Sequence, residues 1–173
     1  MIMTQLLVRA ATVKDVPAIQ ELVRPLALDG ILLDKEAVTY FEAIQEFLVA
    51  EVDRGTGPEL VGCGALHVMW ENIAEIRTLA AAPDARGLGV GHQLVAALLD
   101  RARRLMVSSV FCLTFEVDFF RRQGFRTMEN QEQLDPETYM ELLRSRDEGV
   151  AEFLDLARVK PNTLGNTRMI IDL

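Results

Sequence analysis

Histidine and cysteine are scarce in this 173-residue chain, with two of each. His67 and His92 have no thiol cluster beside them and fall short of the ligand set a protein metal site needs, so no metal is expected. Cys63 and Cys112 each lie inside an apolar, strand-like run, which reads as core packing in a reducing compartment. Positive charge is also short. The formal charge of −8 and pI of about 4.8 repel a nucleic-acid backbone and an anionic lipid surface alike, so neither is an expected partner. No apolar run approaches the ~18 residues of a membrane span, and Met1–Arg9 shows no basic leader before a long apolar stretch; a cytoplasmic location is expected. Repeats, low-complexity segments and Gly/Ser linkers are missing too. With half its residues apolar, the chain is expected to form one domain over 1–173.

What is present is a strand, loop and helix over Ala74–Leu105. Ala74–Ala80 reads as a strand, Ala81–Ala85 as a turn, and Arg86-Gly87-Leu88-Gly89-Val90-Gly91 as a glycine-rich loop. Three alternate glycines would strip Cβ atoms from one side of the loop, so that successive amides close on an anion where the helix begins. Leu88, Val95, Leu98, Leu99, Ala102 and Leu105 recur at helical spacing and would pin that helix onto a sheet. Arg101, Arg103 and Arg104 suit its negative end. The chemistry implied is a pyrophosphate cradle. Gly91-His92-Gln93 lacks the Gly-Lys-Ser/Thr of an ATPase phosphate loop, and His92 stands where a dinucleotide fingerprint needs a third glycine. A plain helix cap with flexible glycines is the remaining rival.

Along the rest of the chain, Leu6–Ala10 reads as an edge strand and Thr12 as the cap of a helix that carries Pro17 in its first turn and stops at Asp29-Gly30. A second helix carries Ala37, Tyr40, Phe41 and Ile44. Lys35 at its start is unfavourable for the helix dipole, and so either points into solvent or holds an anion. Phe47–Asp53 and Leu60–Trp70 form a hairpin, with Gly62 and Gly64 marking a bulge or a close backbone approach. Ser109–Phe115 has the length and apolarity of a buried parallel strand. Val117–Gln123 is a short helix closed by Gly124, followed by a strand at Phe125–Thr127. Helices are expected at Thr138–Arg146, capped by Asp135, and at Val150–Leu156, with a polar loop at 159–166 and a last strand at Thr167–Leu173.

The pattern Arg86-x-x-Gly89-x-Gly91 after a strand resembles the acetyl-CoA signature of the GCN5-related N-acetyltransferase (GNAT) family. Phe119-Phe120-Arg121-Arg122-Gln123-Gly124-Phe125 is similar to that family's aromatic-x-x-x-Gly-Phe ending. The resemblance implies an α/β (α+β) fold, a mixed central sheet of about six to seven strands flanked by helices. It also implies a splayed parallel pair, Ala74–Ala80 and Ser109–Thr114, that admits the pantetheine arm. By the same resemblance the coenzyme is held by Leu79, Ala80, Ala81, Arg86, Gly87, Leu88, Gly89, Val90, Gly91 and Phe120. Further stretches, among them Val23-Arg24-Pro25-Leu26, Val61-Gly62-Cys63-Gly64-Ala65-Leu66, Glu75-Ile76-Arg77-Thr78-Leu79-Ala80 and Gly165-Asn166-Thr167-Arg168-Met169, resemble the acetyltransferase domain of N-acetylglutamate synthases in its short, stand-alone bacterial form. That implies acetyl transfer from acetyl-CoA to the α-amine of L-glutamate, the first step toward arginine. The longer synthases carry a kinase-like, arginine-binding domain for which this chain has no room, so arginine feedback does not follow from the resemblance.

The chemistry sets its own demands. The ammonium must lose a proton before nitrogen attacks a thioester, and Glu75 is the candidate base, against a solvated carboxylate at a strand start. A backbone N–H at the Thr78–Leu79 bend could hold the oxyanion. Thr114 could protonate the leaving thiolate, or be a capping or core hydroxyl. Glutamate's two carboxylates call for cations in a dry pocket. The candidates are Lys35, Arg77, Lys160 and Arg168, with Thr78, Asn162 and Asn166 assisting. Arg77 shares a strand face with Glu75 and could instead simply pair with it. L-glutamine as acceptor and a non-catalytic acetyl-CoA or arginine sensor stay open as alternatives, as does a homodimer.

Overall fold

The structure is a computed structural model that describes residues 5–128, 135–154 and 165–173. In chain order it comprises β1 (Gln5–Ala10), α1 (Val16–Leu28), α2 (Ala37–Glu42), β2 (Phe47–Asp53), β3 (Pro58–Trp70), β4 (Ile73–Ala81), α3 (Val90–Arg104), β5 (Ser109–Thr114), α4 (Val117–Arg122), β6 (Arg126–Thr127), α5 (Pro136–Leu142), α6 (Glu148–Phe153) and β7 (Thr167–Asp172). The strands form one seven-stranded sheet in the order β1-β2-β3-β4-β5-β7-β6. All neighbours are antiparallel except β4 and β5.

Both faces of the sheet are covered. Leu66, Ala74 and Ile76 pack under Val95, Leu98, Leu99 and Ala102 of α3 and Phe120 of α4. On the other face, Val49, Cys63, Ala65 and Ala80 meet Val16, Ile19 and Val23 of α1, while Phe111 and Ile170 meet Phe153 of α6. Burying an aliphatic side chain stabilises by about 1.5–3 kcal/mol, whereas ordering a glycine costs about 0.5–1 kcal/mol relative to alanine. The buried row Val90, Leu94, Val95, Leu98 and Leu99 therefore outweighs the glycine-rich approach to α3.

Several sequence expectations are corrected here. Helix α3 begins at Val90, inside the stretch read as loop, because Gly89 at φ 74° already serves as its N-cap. Leu88 and Leu105 are exposed rather than part of the buried stripe; Leu94 and Val90 take those places. Ala81 ends β4 and does not open the turn. Helix α5 stops at Leu142, short of Arg146, and α6 starts earlier than Val150, at Glu148, with Asp147 accepting from the Val150 amide at 2.9 Å. Ile44 lies beyond α2, in a 3-10 turn.

The two strand glycines answer to both readings made of them. Register shifts on each side of them mark bulges, and a Cβ on Gly62 would lie 2.4 Å from Val90 Cγ1 and 3.0 Å from Leu94 Cδ1. Gly64 would meet Leu79 and Leu98, each at 3.0 Å. These glycines let α3 sit low on the sheet. Replacing Gly62 by Ala should therefore cost about 1–3 kcal/mol, the range of an overpacked core, in denaturant unfolding. Adding Val90→Ala to the same chain should recover part of that loss.

Candidate active site

Strands β4 and β5 pair at Ile73–Ser109, Ala74–Val110 and Glu75–Phe111, and no further. Beyond Glu75, β4 stays with β3, and β5 follows β7 as far as Thr114–Thr167. The two strands thus splay into a cleft with Glu75 at its vertex, walled by Ile76–Leu79 on one side and Cys112–Thr114 on the other.

A bulge shapes the β4 wall. Cys63 pairs with Ala80 and Ala65 with Arg77, so Gly64 alone faces both Thr78 and Leu79. Thr78 adopts φ 54°, a left-handed conformation that costs a β-branched residue of order 1–3 kcal/mol. Neighbouring groups hold it there: the Cys63 thiol donates to its carbonyl at 3.4 Å, and Lys35 Nζ donates to its hydroxyl at 3.4 Å. The bulge also reverses the side-chain alternation, so that Ile76 and Leu79 pack toward α3 while Ala80 packs toward α1. Burial pushes the Cys63 thiol up to about 12, which keeps it a neutral donor.

The face of β4 toward α6 carries the charges. Arg77 donates through Nε (2.9 Å) and Nη2 (2.5 Å) to Glu75 Oε2, and through Nη1 (2.7 Å) and Nη2 (2.9 Å) to the two oxygens of Asp147. Burial alone would ease the proton off Arg77, but the Glu75 charge and the Asp147 bonds outweigh it and hold the guanidinium charged. At Asp147 burial works upward, and the Arg77 bonds and charge overcome it, leaving the carboxyl well below the usual range. Burial, then the charge of Arg77, lowers Lys35 below an ordinary lysine. Gly149 lies flat on this cluster: a Cβ there would sit 2.5 Å from Arg77 Nη2 and 3.0 Å from Glu75 Oε2.

The rest of the site residues fall into place around the cleft. Glu75 is only 4% exposed, which replaces the solvated-carboxylate reading by a buried ion pair with Arg77. Lys35 faces the cleft rather than solvent, as do Thr78, Leu79, Thr114, Phe120 and Asn166. Thr114 Oγ1 accepts from the Glu116 amide at 2.8 Å, so its proton remains to be donated. Asn166 donates to Glu152 at 2.5 Å. Arg168, opposite Leu113, sends Nη2 to the carbonyls of Phe153 (3.1 Å) and Glu152 (3.5 Å) at the end of α6. Lys160 and Asn162 lie outside the described residues. Asp147, Gly149 and Phe119 were not anticipated. The Asp147 cap is a local signal, but its bond to a residue 70 positions away leaves no trace in spacing.

Past the open end of the cleft, Arg86–Gly91 leads into α3. Leu88 N–H is spent on Ala85 O (3.2 Å), and the first helical bond runs from Gln93 N to Gly89 O. The Val90, Gly91 and His92 amides then point ahead of the helix, where its dipole is positive. The glycines have different jobs. Gly87 and Gly89 have φ of 88° and 74° with nothing near a Cβ, whereas Gly91 is helical and leaves room for Phe119, whose ring would be 3.0 Å from a Cβ. Ala80 is buried beside this approach and Ala81 exposed, while Arg86 is exposed at its start. No helix among the described residues is long and apolar enough to cross a membrane.

Comparison with known proteins places this arrangement. Residues 18–125 match the profile described as the acetyltransferase (GNAT) family. An amino-acid acetyltransferase of Mycobacterium tuberculosis is 52% identical over 166 residues, which cover 96% of this chain and 94% of the relative. A crystal structure from the same organism, in complex with CoA and NLQ, superposes with a TM-score of 0.90 at 51% identity, over 96% of this chain and 99% of that one. An N-acetylglutamate synthase from Neisseria gonorrhoeae, complexed with coenzyme A and N-acetyl-glutamate, gives a TM-score of 0.77 at 29% identity; the match spans 98% of this chain and 35% of that one.

The packing of Gly149 can be tested directly. An alanine there improves helix propensity by up to about 1 kcal/mol, yet its methyl group has to displace the Arg77 guanidinium. Gly149→Ala should therefore lower the thermal unfolding midpoint, and a raised midpoint would show that the close packing is absent.

Proposed function

The chain belongs to the acetyltransferase (GNAT) family, and from that premise we propose that it transfers acetyl from acetyl-CoA to the α-amine of L-glutamate, giving N-acetyl-L-glutamate and CoA. The observation that carries this reading is the cleft itself. A parallel pair that parts at a buried glutamate leaves room for an extended thioester arm, with amides at the tip of α3 ready for a diphosphate. The amino-acid acetyltransferase and N-acetylglutamate synthase likenesses point the same way.

In this reading the neutral amine attacks the thioester carbonyl from the vertex of the cleft. Glu75, whose bonds to Arg77 both fall on Oε2, takes the ammonium proton directly or through water. The carbonyl oxygen gains charge against a backbone N–H at the Thr78–Leu79 bulge. As the C–S bond breaks, the Thr114 hydroxyl gives its proton to the departing sulfur and regains one from the nitrogen, which sheds its second proton as the amide forms. Lys35, which reaches Thr78 in the wall, holds a carboxylate of the acceptor, with Asn166 alongside. Lys160, Asn162 and Arg168 remain candidates for the other carboxylate.

L-glutamine is a second reading, and a specific observation favours it. Among the described residues, the cations lining the cleft are Lys35 and Arg77, against the carboxylates of Glu75, Glu116 and Glu152. Arg77 is already bonded to two carboxylates. An acceptor with a neutral side chain brings one negative charge fewer into that balance.

The purified protein should release CoA thiol from acetyl-CoA in a reaction that needs glutamate or glutamine; binding of acetyl-CoA without turnover with either would favour a sensor. Glu75→Gln should cut kcat by about a hundredfold or more, the typical size of a general-base contribution, and leave the acetyl-CoA KM nearly unchanged. Arg86→Ala should instead raise the acetyl-CoA KM at nearly constant kcat.

A further inference from the structure

Two cavities lie on either side of a thin wall made by Lys35, Arg77 and Gly149, which line both. One is the cleft between β4 and β5. The other runs under α2 and holds Asp147, Glu46 and His67 on its walls, the last two bonded at 2.8 Å. Arg77 is the one guanidinium among the described residues that lines both cavities, and its donors are divided between them. Glu75 takes Nε and a share of Nη2 from the cleft side, and Asp147 takes Nη1 and the rest of Nη2 from the far side. The side chain is only 10% exposed.

A guanidinium has five N–H donors in a fixed plane, and four contacts to two carboxylates leave it little to offer a third. At the wall Lys35 and Arg77 stand against Glu75 and Asp147, and the cleft adds the carboxylates of Glu116 and Glu152. An amino acid whose ammonium and α-carboxylate cancel can enter such a wall without adding net charge. A side-chain carboxylate adds an uncompensated one.

We propose that Asp147 is a specificity-determining residue: by holding Arg77 from the side away from the cleft, it withholds that cation from the acceptor's side-chain carboxylate and biases the site toward an amide side chain over an acid. The role rests on the acetyl-transfer reading above and, of its two acceptors, sides with L-glutamine. Asp147 also accepts from the Val150 amide as the N-cap of α6, so its charge and its cap can be separated. Asparagine and serine cap as well as aspartate does, while carrying no charge.

The test is steady-state kinetics with glutamate and glutamine, for the wild-type protein and for Asp147→Asn, Asp147→Ser and Asp147→Glu, each checked by its thermal midpoint. Freed on one side, Arg77 should give glutamate a charged hydrogen bond that glutamine cannot equal. The ratio of kcat/KM for glutamate over glutamine should then rise about tenfold in the Asn variant, through the glutamate KM. The Ser variant should move the ratio in the same direction and serves if the Asn variant does not fold. Asp147→Glu, which restores the charge, should return toward the wild-type ratio. Equal losses for both acceptors in the Asn and Ser variants, with the ratio unchanged, would make Asp147 a purely structural residue and overturn the proposal. A wild-type protein that turns over neither acceptor would bring down the acetyl-transfer reading itself, and this role with it.

Discussion

Every feature of the candidate site depends on a parallel ladder that stops after its third rung. Strands β4 and β5 could zip further, since both continue past Glu75 and Phe111. They part instead: β4 follows β3 through the bulge at Thr78, which bends the strand, while β5 follows β7 along its whole length, each pairing on its other edge. Parallel pairing is slightly less stable per residue than antiparallel pairing, so the parallel edge is where the sheet opens. The backbone groups left over in the gap are strand donors and acceptors without a strand, and they suit an extended amide-containing arm.

The charged cluster is the complement of that opening. A guanidinium buried to this degree is tolerated only when its donors are met, and removal of a partner from such a pair typically costs about 3–5 kcal/mol. Glu75 and Asp147 meet them from two elements distant in sequence, so the cluster also ties the start of α6 to the sheet. Positive charge at the cleft is therefore shielded, in contrast to the exposed arginines of the surface. The protein's overall charge of −8 says nothing of the local field that an anionic ligand would meet.

Much of this was legible in the chain. The strand, loop and helix around Arg86–Gly91, the hairpin, the edge strand and the aromatic helix at Phe119–Phe120 rest on local patterns, and they stand close to where periodicity and turn chemistry put them. The pairing of Arg77 with Glu75 was foreseeable too, since alternate strand residues share a face. What escaped was whatever depends on tertiary contact. Leu88 fits the helical stripe by spacing but precedes the helix, and Gly91 looks like a loop glycine until Phe119 is placed against it. Asp147 reads as an ordinary cap, and only folding brings it to Arg77. A bulge is one of the two readings of Gly62 and Gly64 on β3, and the bend at Thr78–Leu79 follows from the family resemblance; that Thr78 itself adopts the left-handed conformation cannot be read from a residue type that normally avoids it.

That bulge works as a phase shifter. Upstream of it, odd-numbered residues of β4 look toward α6 and even-numbered ones toward α3; downstream the assignment is exchanged. The charged half and the apolar half of one strand can thus be edited independently, each keeping its own parity. Adding or removing one residue of β4 beside the bulge, with the bulge kept, would turn one of these halves inside out. Relatives of this chain should therefore tolerate length changes in the hairpin turn at 54–57, and almost none between Glu75 and Ala80.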